Sequence, residues 1–240
     1  MKKIEIIKFL AFASFTMFLF GCDLDLQERF VFEPDVDLSD PYADITAWEF
    51  LNSEPARRLN SEGELSGDGF NYLIAAIEAA GMVEEYNSTN SDRTYLMLNN
   101  NAFLGNGNVI DLVTGLGEDD LPEGETPAQI MARADVEVLR LILQYHIITT
   151  YITQNDPLIE FNVNYEFQTL IPGEAGKIIL RRDDRLRIDV NTSPAPLPST
   201  ATGNNNNERL RNYNYVFSNG IGHSINDPVR NEPYPAPNVN

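Results

Sequence analysis

The 240-residue chain has one cysteine, two histidines and one tryptophan, and each scarcity removes a class of chemistry. A lone cysteine cannot close an intramolecular disulfide or build a Cys-based zinc finger, and His146 and His223 alone cannot make a multi-histidine metal centre. Basic charge is equally short. Seventeen Lys and Arg face 36 Asp and Glu, for a net charge of -19, which leaves no electrostatic footprint for nucleic acid. No Gly-x-Ser-x-Gly and no Gly-Lys-Ser/Thr phosphate loop occurs, and Gly105-Asn106-Gly107 lacks the third glycine and the preceding strand of a dinucleotide fingerprint. What remains, 42% hydrophobic and 22% charged residues, describes a folded globular chain long enough for a real core.

The N-terminus begins Met1-Lys2-Lys3 and continues into the apolar stretch Phe9 to Phe20, which stops at Gly21-Cys22. Twelve residues fall short of the ~20 that a membrane-spanning helix needs, so the segment reads as a secretory signal. Leu19-Phe20-Gly21-Cys22 resembles the lipobox of bacterial lipoproteins, which makes Cys22 the expected lipidation site. Cleavage there removes three lysines and one glutamate, taking the net charge from -19 to -21. Several acyl chains tether a soluble domain far more firmly than one myristoyl group, so the fold itself need not touch the membrane. Asp23-Leu24-Asp25-Leu26-Gln27-Glu28 is similar to the surface-export signals of lipoproteins from glycan-foraging Gram-negative bacteria. That resemblance implies a chain anchored in the cell outer membrane through Cys22 and exposed at the cell surface.

The expected organisation is a signal peptide over 1–21, a lipidated cysteine and acidic tether over 22–43, one domain over 44–230 and a flexible tail over 231–240. Within the domain, Phe70, Leu73, Ile74 and Ile77 fall at helical spacing, with Gly81 placed to cap the helix. Val109, Ile110, Val113 and Leu116 suggest a further helix. Thr126-Pro127 and Asp135 mark two helix starts, the second followed by Val138, Leu141, Ile142 and Tyr145 along one face. Strands are expected over Tyr95 to Leu98, Ile147 to Ile152, Lys177 to Leu180, Leu186 to Val190 and Tyr213 to Phe217, with a weaker candidate over Ile221 to Ile225. The class is mixed α+β. Pro194, Pro196, Pro198 and Asn204 to Asn207 mark a projecting loop.

Three stretches, in this order, resemble the signatures of the fasciclin-domain family. Thr94, Asn100, Ala102 and Phe103 match the first, a strand running into Asn-Glu-Ala-Phe; Leu98 and Asn99 replace its Pro-Thr pair. Val138 to Ile148 is similar to the second, an apolar helix ending in Tyr-His, here Tyr145-His146. Asn219 to Asn226 resembles the last, in which Asn-Gly opens a hairpin and His-x-Ile-Asp closes the domain, although Gly222, Ser224 and Asn226 depart from it. The resemblance implies a wedge of β-sheets with packed N-terminal helices, no enzymatic activity, no cofactor, and a role in cell adhesion or in binding an extracellular protein or glycan. An accessory binding role in an outer-membrane glycan-uptake system is the competing reading.

In animal members of the family the matching Tyr-His neighbourhood is an integrin-binding determinant, so Tyr145 and His146 are the partner-binding candidates implied here. A Tyr-His pair ending an apolar helix equally suits a buried, hydrogen-bonded junction, and His223 invites the same two readings. Two charged segments complete the candidates. The acidic loop from Gly117 to Glu125 offers oxygens to calcium without EF-hand spacing. Arg181, Arg182, Arg185 and Arg187 suit either ion pairs with Asp183 and Asp184 or an anionic-glycan site.

Overall fold

A computed structural model describes residues 40–104, 108–191 and 208–229. Contacts divide the chain between Leu38 and Ser39, and every described residue belongs to the second unit. The signal peptide, Cys22, the loop around Pro194 to Asn207 and the tail over 231–240 lie outside the described residues. The domain begins earlier than expected. Tyr42, assigned to the tether, packs its ring 4.7 Å from Phe50 and 6.4 Å from Tyr215.

Among the described residues, eight strands form two four-stranded sheets. The first joins β1 (Thr94–Leu98), β2 (Ile147–Ile148), β7 (Tyr215–Phe217) and β8 (Gly220–Ile225) in the order β2-β1-β8-β7. The second joins β3 (Asn164–Gln168), β4 (Lys177–Arg182), β5 (Ile188–Val190) and β6 (Glu208–Arg209) in chain order. At the centre of the first sheet β1 runs parallel to β8, with Leu96 opposite His223. Both strands are buried along their whole length. Isolated bridges between Ile148 and Thr169 and between Leu210 and Ile225 connect the sheets at both flanks. The mixed α+β class read from the sequence is the one observed.

The helices follow their caps. Helix α1 (Ala47–Leu51) starts at Thr46, whose hydroxyl and Glu49 form a reciprocal capping box. Helix α2 (Asn71–Ala80) ends where Gly81 adopts φ +65°, a left-handed conformation that glycine enters without steric cost. Helices α3 (Val83–Tyr86), α4 (Asn100–Phe103) and α5 (Val109–Thr114) are short. Thr126 caps α6 (Pro127–Met131), and Asp135 accepts hydrogen bonds from the Glu137 and Val138 N–H groups at the start of α7 (Val136–Tyr145). Helix α2 packs against α6 and α7. Among the described residues, no helix is long and apolar enough to cross a membrane.

Strands β2, β3, β5 and β7 differ from expectation for identifiable reasons. Strand β2 stops at Ile148 because the Thr94 hydroxyl replaces the ladder beyond it, donating to the Thr150 carbonyl at 2.7 Å and accepting from the Ile152 N–H at 2.9 Å. Leu186 and Asn214 take positive φ and belong to turns, so β5 and β7 start two residues later than the apolar text. Strand β3, not anticipated, forms from Asn-Tyr-Glu-Phe-Gln by pairing with β4.

The β7–β8 hairpin is held to the helices by Asn219. Its side-chain oxygen accepts from the Ala47 N–H at 2.9 Å, and its amide donates to the Tyr86 carbonyl at 2.8 Å and to the Tyr95 hydroxyl at 3.2 Å. Gly220 follows at φ +145°, with the Arg93 carbonyl oxygen only 2.4 Å from where a Cβ would stand. Asn219→Ala leaves the buried Ala47 N–H and Tyr86 carbonyl without these partners and should cost about 2–4 kcal/mol. A urea titration reads this as a lower midpoint with unchanged slope; a shift of less than about 0.5 kcal/mol would contradict the assignment.

Candidate functional site

Tyr145 and His146 sit at the junction of α7 and β2, and neither side chain reaches the surface: their exposures are 0% and 1%. The Tyr145 hydroxyl donates to the Lys177 carbonyl at 2.8 Å and accepts from the Asn191 amide at 3.0 Å, tying the helix end to the second sheet. His146 accepts the Val229 N–H at Nε2, 3.1 Å away, so its proton resides on Nδ1 and is donated to the Ile142 carbonyl at 2.8 Å. The pair named as partner-binding candidates therefore clamps the second sheet and the end of the domain. Neither ring is exposed for contact with a partner.

His223 is fully buried at the centre of β8. Its Nδ1 accepts from the Asn214 N–H at 3.2 Å, and its Nε2–H donates to the Ile152 carbonyl at 2.8 Å. Burial pushes its pKa down to about 4, against a smaller upward pull from that carbonyl. In both histidines each ring nitrogen is engaged by the backbone, leaving no free lone pair to activate a nucleophile.

The arginine cluster resolves into structural contacts. Asp189 pairs with Arg181 at 3.4 Å and with Arg209 at 2.8 Å, and Asp183 pairs with Arg187 at 2.5 Å. Burial pushes the Asp183 carboxyl up, but the Arg187 guanidinium and the N–H groups of Arg187 and Arg185 outweigh it and hold the pKa at about 2. Arg182 pairs with neither Asp183 nor Asp184 as expected. Its buried guanidinium donates to the Asn155 side chain at 2.7 Å and the Ile159 carbonyl at 2.6 Å, and lies 4.7 Å from the centre of the Phe161 ring. In the acidic loop, Glu125 binds Arg133. No grouping of metal-ligating side chains occurs among the described residues.

One carboxyl pair stands apart. Glu208 on β6 is buried and shares a hydrogen bond with Asp227 just beyond β8; burial, then the Asp227 charge and that bond, raise its pKa to about 8 against the pull of Arg211. The pair lies where β6 crosses from one sheet to the other, beside the Leu210–Ile225 bridge.

A surface recess lies elsewhere, beside α1. A concavity of about 620 Å³ is lined by Glu54, Pro55, Arg57, Arg58, Leu59 and Ser66. Its wall is a 3-10 turn, Glu54–Ala56, with Pro55 in the first turn and Ala56 buried as the anchor. Backbone bonds from Phe70 N–H to the Ala56 carbonyl (2.9 Å) and from Ser66 N–H to the Arg58 carbonyl (3.0 Å) fix both sides. Arg57 donates to the Asn52 side-chain oxygen at 2.5 Å, and the Arg58 Nε–H donates to the Pro55 carbonyl at 3.0 Å. Both guanidiniums are thus held by neutral acceptors, and among the described residues neither enters an ion pair. A second hollow of about 200 Å³, lined by Arg57, Asn71, Glu78 and Thr126 among others, shares the first arginine. The only sequence signal for this site was the Arg57-Arg58 doublet, set three residues after Glu54 and four before Glu62.

No family model and no curated protein matches the chain. Among solved structures it is similar to a FAS1 domain pair from the insect cell adhesion molecule fasciclin I, at 15% identity and a TM-score of 0.49. The alignment covers 78% of this chain and 51% of that one, so the chain spans about half of that structure's length.

The two buried titrating groups oppose each other. His223 folds with a pKa near 4 instead of 6.5, so the unfolded chain takes up a proton first and stability falls as pH drops from about 6.5 to 4. Glu208 folds with a pKa near 8 instead of 4.5, so the unfolded chain releases its proton first and stability falls as pH rises from about 4.5 to 8. Urea midpoints of the wild type should therefore decline between about pH 6.5 and 8, where only Glu208 titrates of the two. Glu208→Gln should flatten that limb and expose the acid-side loss from His223. A wild-type midpoint that rises between those pH values would contradict the Glu208 assignment.

Proposed function

We propose that the chain is a non-enzymatic surface lipoprotein, anchored in the outer membrane through Cys22, whose fasciclin-like domain binds an extracellular protein or glycan in adhesion. The three fasciclin-like stretches support the domain reading by their placement: they contribute β1, β2 and β8, which lie side by side in one sheet. The observation that carries the binding function is the concavity at Arg57 and Arg58, a preformed recess in the 300–1,000 Å³ range of ligand sites. The engagement of both histidines by backbone groups supports a binding role over nucleophilic catalysis. The recess is lined by six residues, against the roughly 20–30 a side of a standard protein epitope, which favours glycan capture and keeps a glycan-uptake accessory as the second reading.

Deletion from the host should reduce attachment to glycan-coated or matrix-coated surfaces, and re-expression should restore it. Cys22→Ala should abolish metabolic palmitate labelling and fail to restore attachment. Attachment by the deletion strain equal to wild type on every surface would refute the adhesion role, and palmitate labelling that survives Cys22→Ala would refute the anchor.

A further inference from the structure

The Arg57–Arg58 concavity combines three features that together narrow its ligand. The first is a pair of guanidiniums without a carboxylate partner among the described residues, in a chain whose net charge is -19. Of the other described arginines, Arg93, Arg133, Arg140, Arg181, Arg187 and Arg209 are each in an ion pair, Arg182 is buried among neutral acceptors, and Arg185 and Arg211, which enter no ion pair among the described residues, do not line this recess. Arg57 and Arg58 are held in place by one neutral contact each and keep further N–H donors available. A planar fork fixed in this way is matched to a carboxylate.

The second feature is Glu54 on the same wall. A carboxylate beside two guanidiniums accepts hydroxyl protons, but it repels a second anionic group on the ligand. The recess therefore suits a sugar unit that carries hydroxyl donors beside its own carboxylate, and disfavours a run of acidic side chains packed together. Ser66, whose hydroxyl both donates and accepts, adds a second polar contact of the kind a hydroxylated ligand uses.

The third is the composition of the remaining wall. Pro55 and Leu59, the latter 59% exposed, offer an apolar surface to C–H groups, and no aromatic ring lines the recess. A neutral sugar without an aromatic platform has little to hold it here, whereas a charged sugar has the arginines.

We propose that this concavity binds a uronic-acid unit of an extracellular polysaccharide, its carboxylate on Arg57 and Arg58 and its hydroxyls on Glu54 and Ser66. The inference rests on the reading of the chain as an extracellular binding domain and names the ligand chemistry of that site. Both arginine side chains are exposed, and Arg58 contributes its structural bond to Ser66 through the backbone. Their replacement keeps the backbone bonds of the turn and removes only the side-chain bonds to Asn52 and Pro55.

The test is calorimetric titration of the full chain in detergent micelles with trigalacturonate, its methyl ester and triglutamate, using wild type and the Arg57→Gln/Arg58→Gln double variant. Trigalacturonate should bind the wild type, and both the methyl ester and the double variant should lose at least about tenfold in affinity, as expected for removal of charge-assisted hydrogen bonds. Affinity should also fall as salt is raised. A thermal melt of the double variant that overlays the wild type excludes unfolding as the cause. Equal binding of the methyl ester, equal binding by the double variant, tighter binding of triglutamate, or no binding of trigalacturonate would each overturn the proposal. The attachment assay does not depend on uronate, so a chain that supports attachment but ignores trigalacturonate loses this inference alone.

Discussion

The parallel pairing of β1 with β8 is the constraint from which the rest of the domain follows. It joins Thr94–Leu98 to a strand more than a hundred residues later and buries both strands completely. Such a pairing closes about two-thirds of the described chain into one loop, a costly step that local structure cannot reward early. It also forces every polar group on the two strands to find an internal partner. Thr94 bonds to the chain after β2, His223 bridges the Asn214 N–H and the Ile152 carbonyl, and the Ser224 hydroxyl accepts the Asn212 N–H. Gly222 completes the fit, because a Cβ there would stand 2.7 Å from Met97 and 2.8 Å from Phe217.

The second sheet is attached to this centre by side chains as much as by strands. Tyr145 reaches from α7 to Lys177 and Asn191, while His146 reaches from the same turn to Val229. Two adjacent residues thus connect the helical layer, the second sheet and the C-terminal end of the domain. The second sheet also consumes most of the positive charge that the sequence concentrates there, through the Asp183 and Asp189 ion pairs and the buried Arg182. The doublet at Arg57 and Arg58 lies in another part of the chain and enters no ion pair among the described residues.

Helices were legible because their signals are local. Gly81 and Gly115 in the left-handed region, the Thr126 capping box with Pro127, and the Asp135 side chain each mark a boundary within a few residues of text. Strands were legible where a short apolar run stands out between polar residues, as in Thr94–Leu98 and Lys177–Arg182. Strand β8 gave the faintest signal and holds the most central place, since Gly222, His223 and Ser224 suit a strand only when its neighbours satisfy them. Strand β3 was missed for the converse reason: Asn, Glu and Gln alternate with two aromatics on a half-buried edge.

The amino-acid sequence by itself determined the α+β class and the positions of most helices, because composition and capping act over short distances. Tertiary structure alone decided which of the charged and titratable residues face a ligand and which face each other. Tyr145 and His146 look alike in the text whether exposed or buried, and their burial follows from Lys177, Asn191 and Val229, tens of residues away. Four arginines within seven positions look like a binding patch until Asp189, Asn155 and Asp183 engage three of them. Electrostatic and hydrogen-bonding partners are chosen by proximity in space, and the folding of the chain is what assigns that proximity.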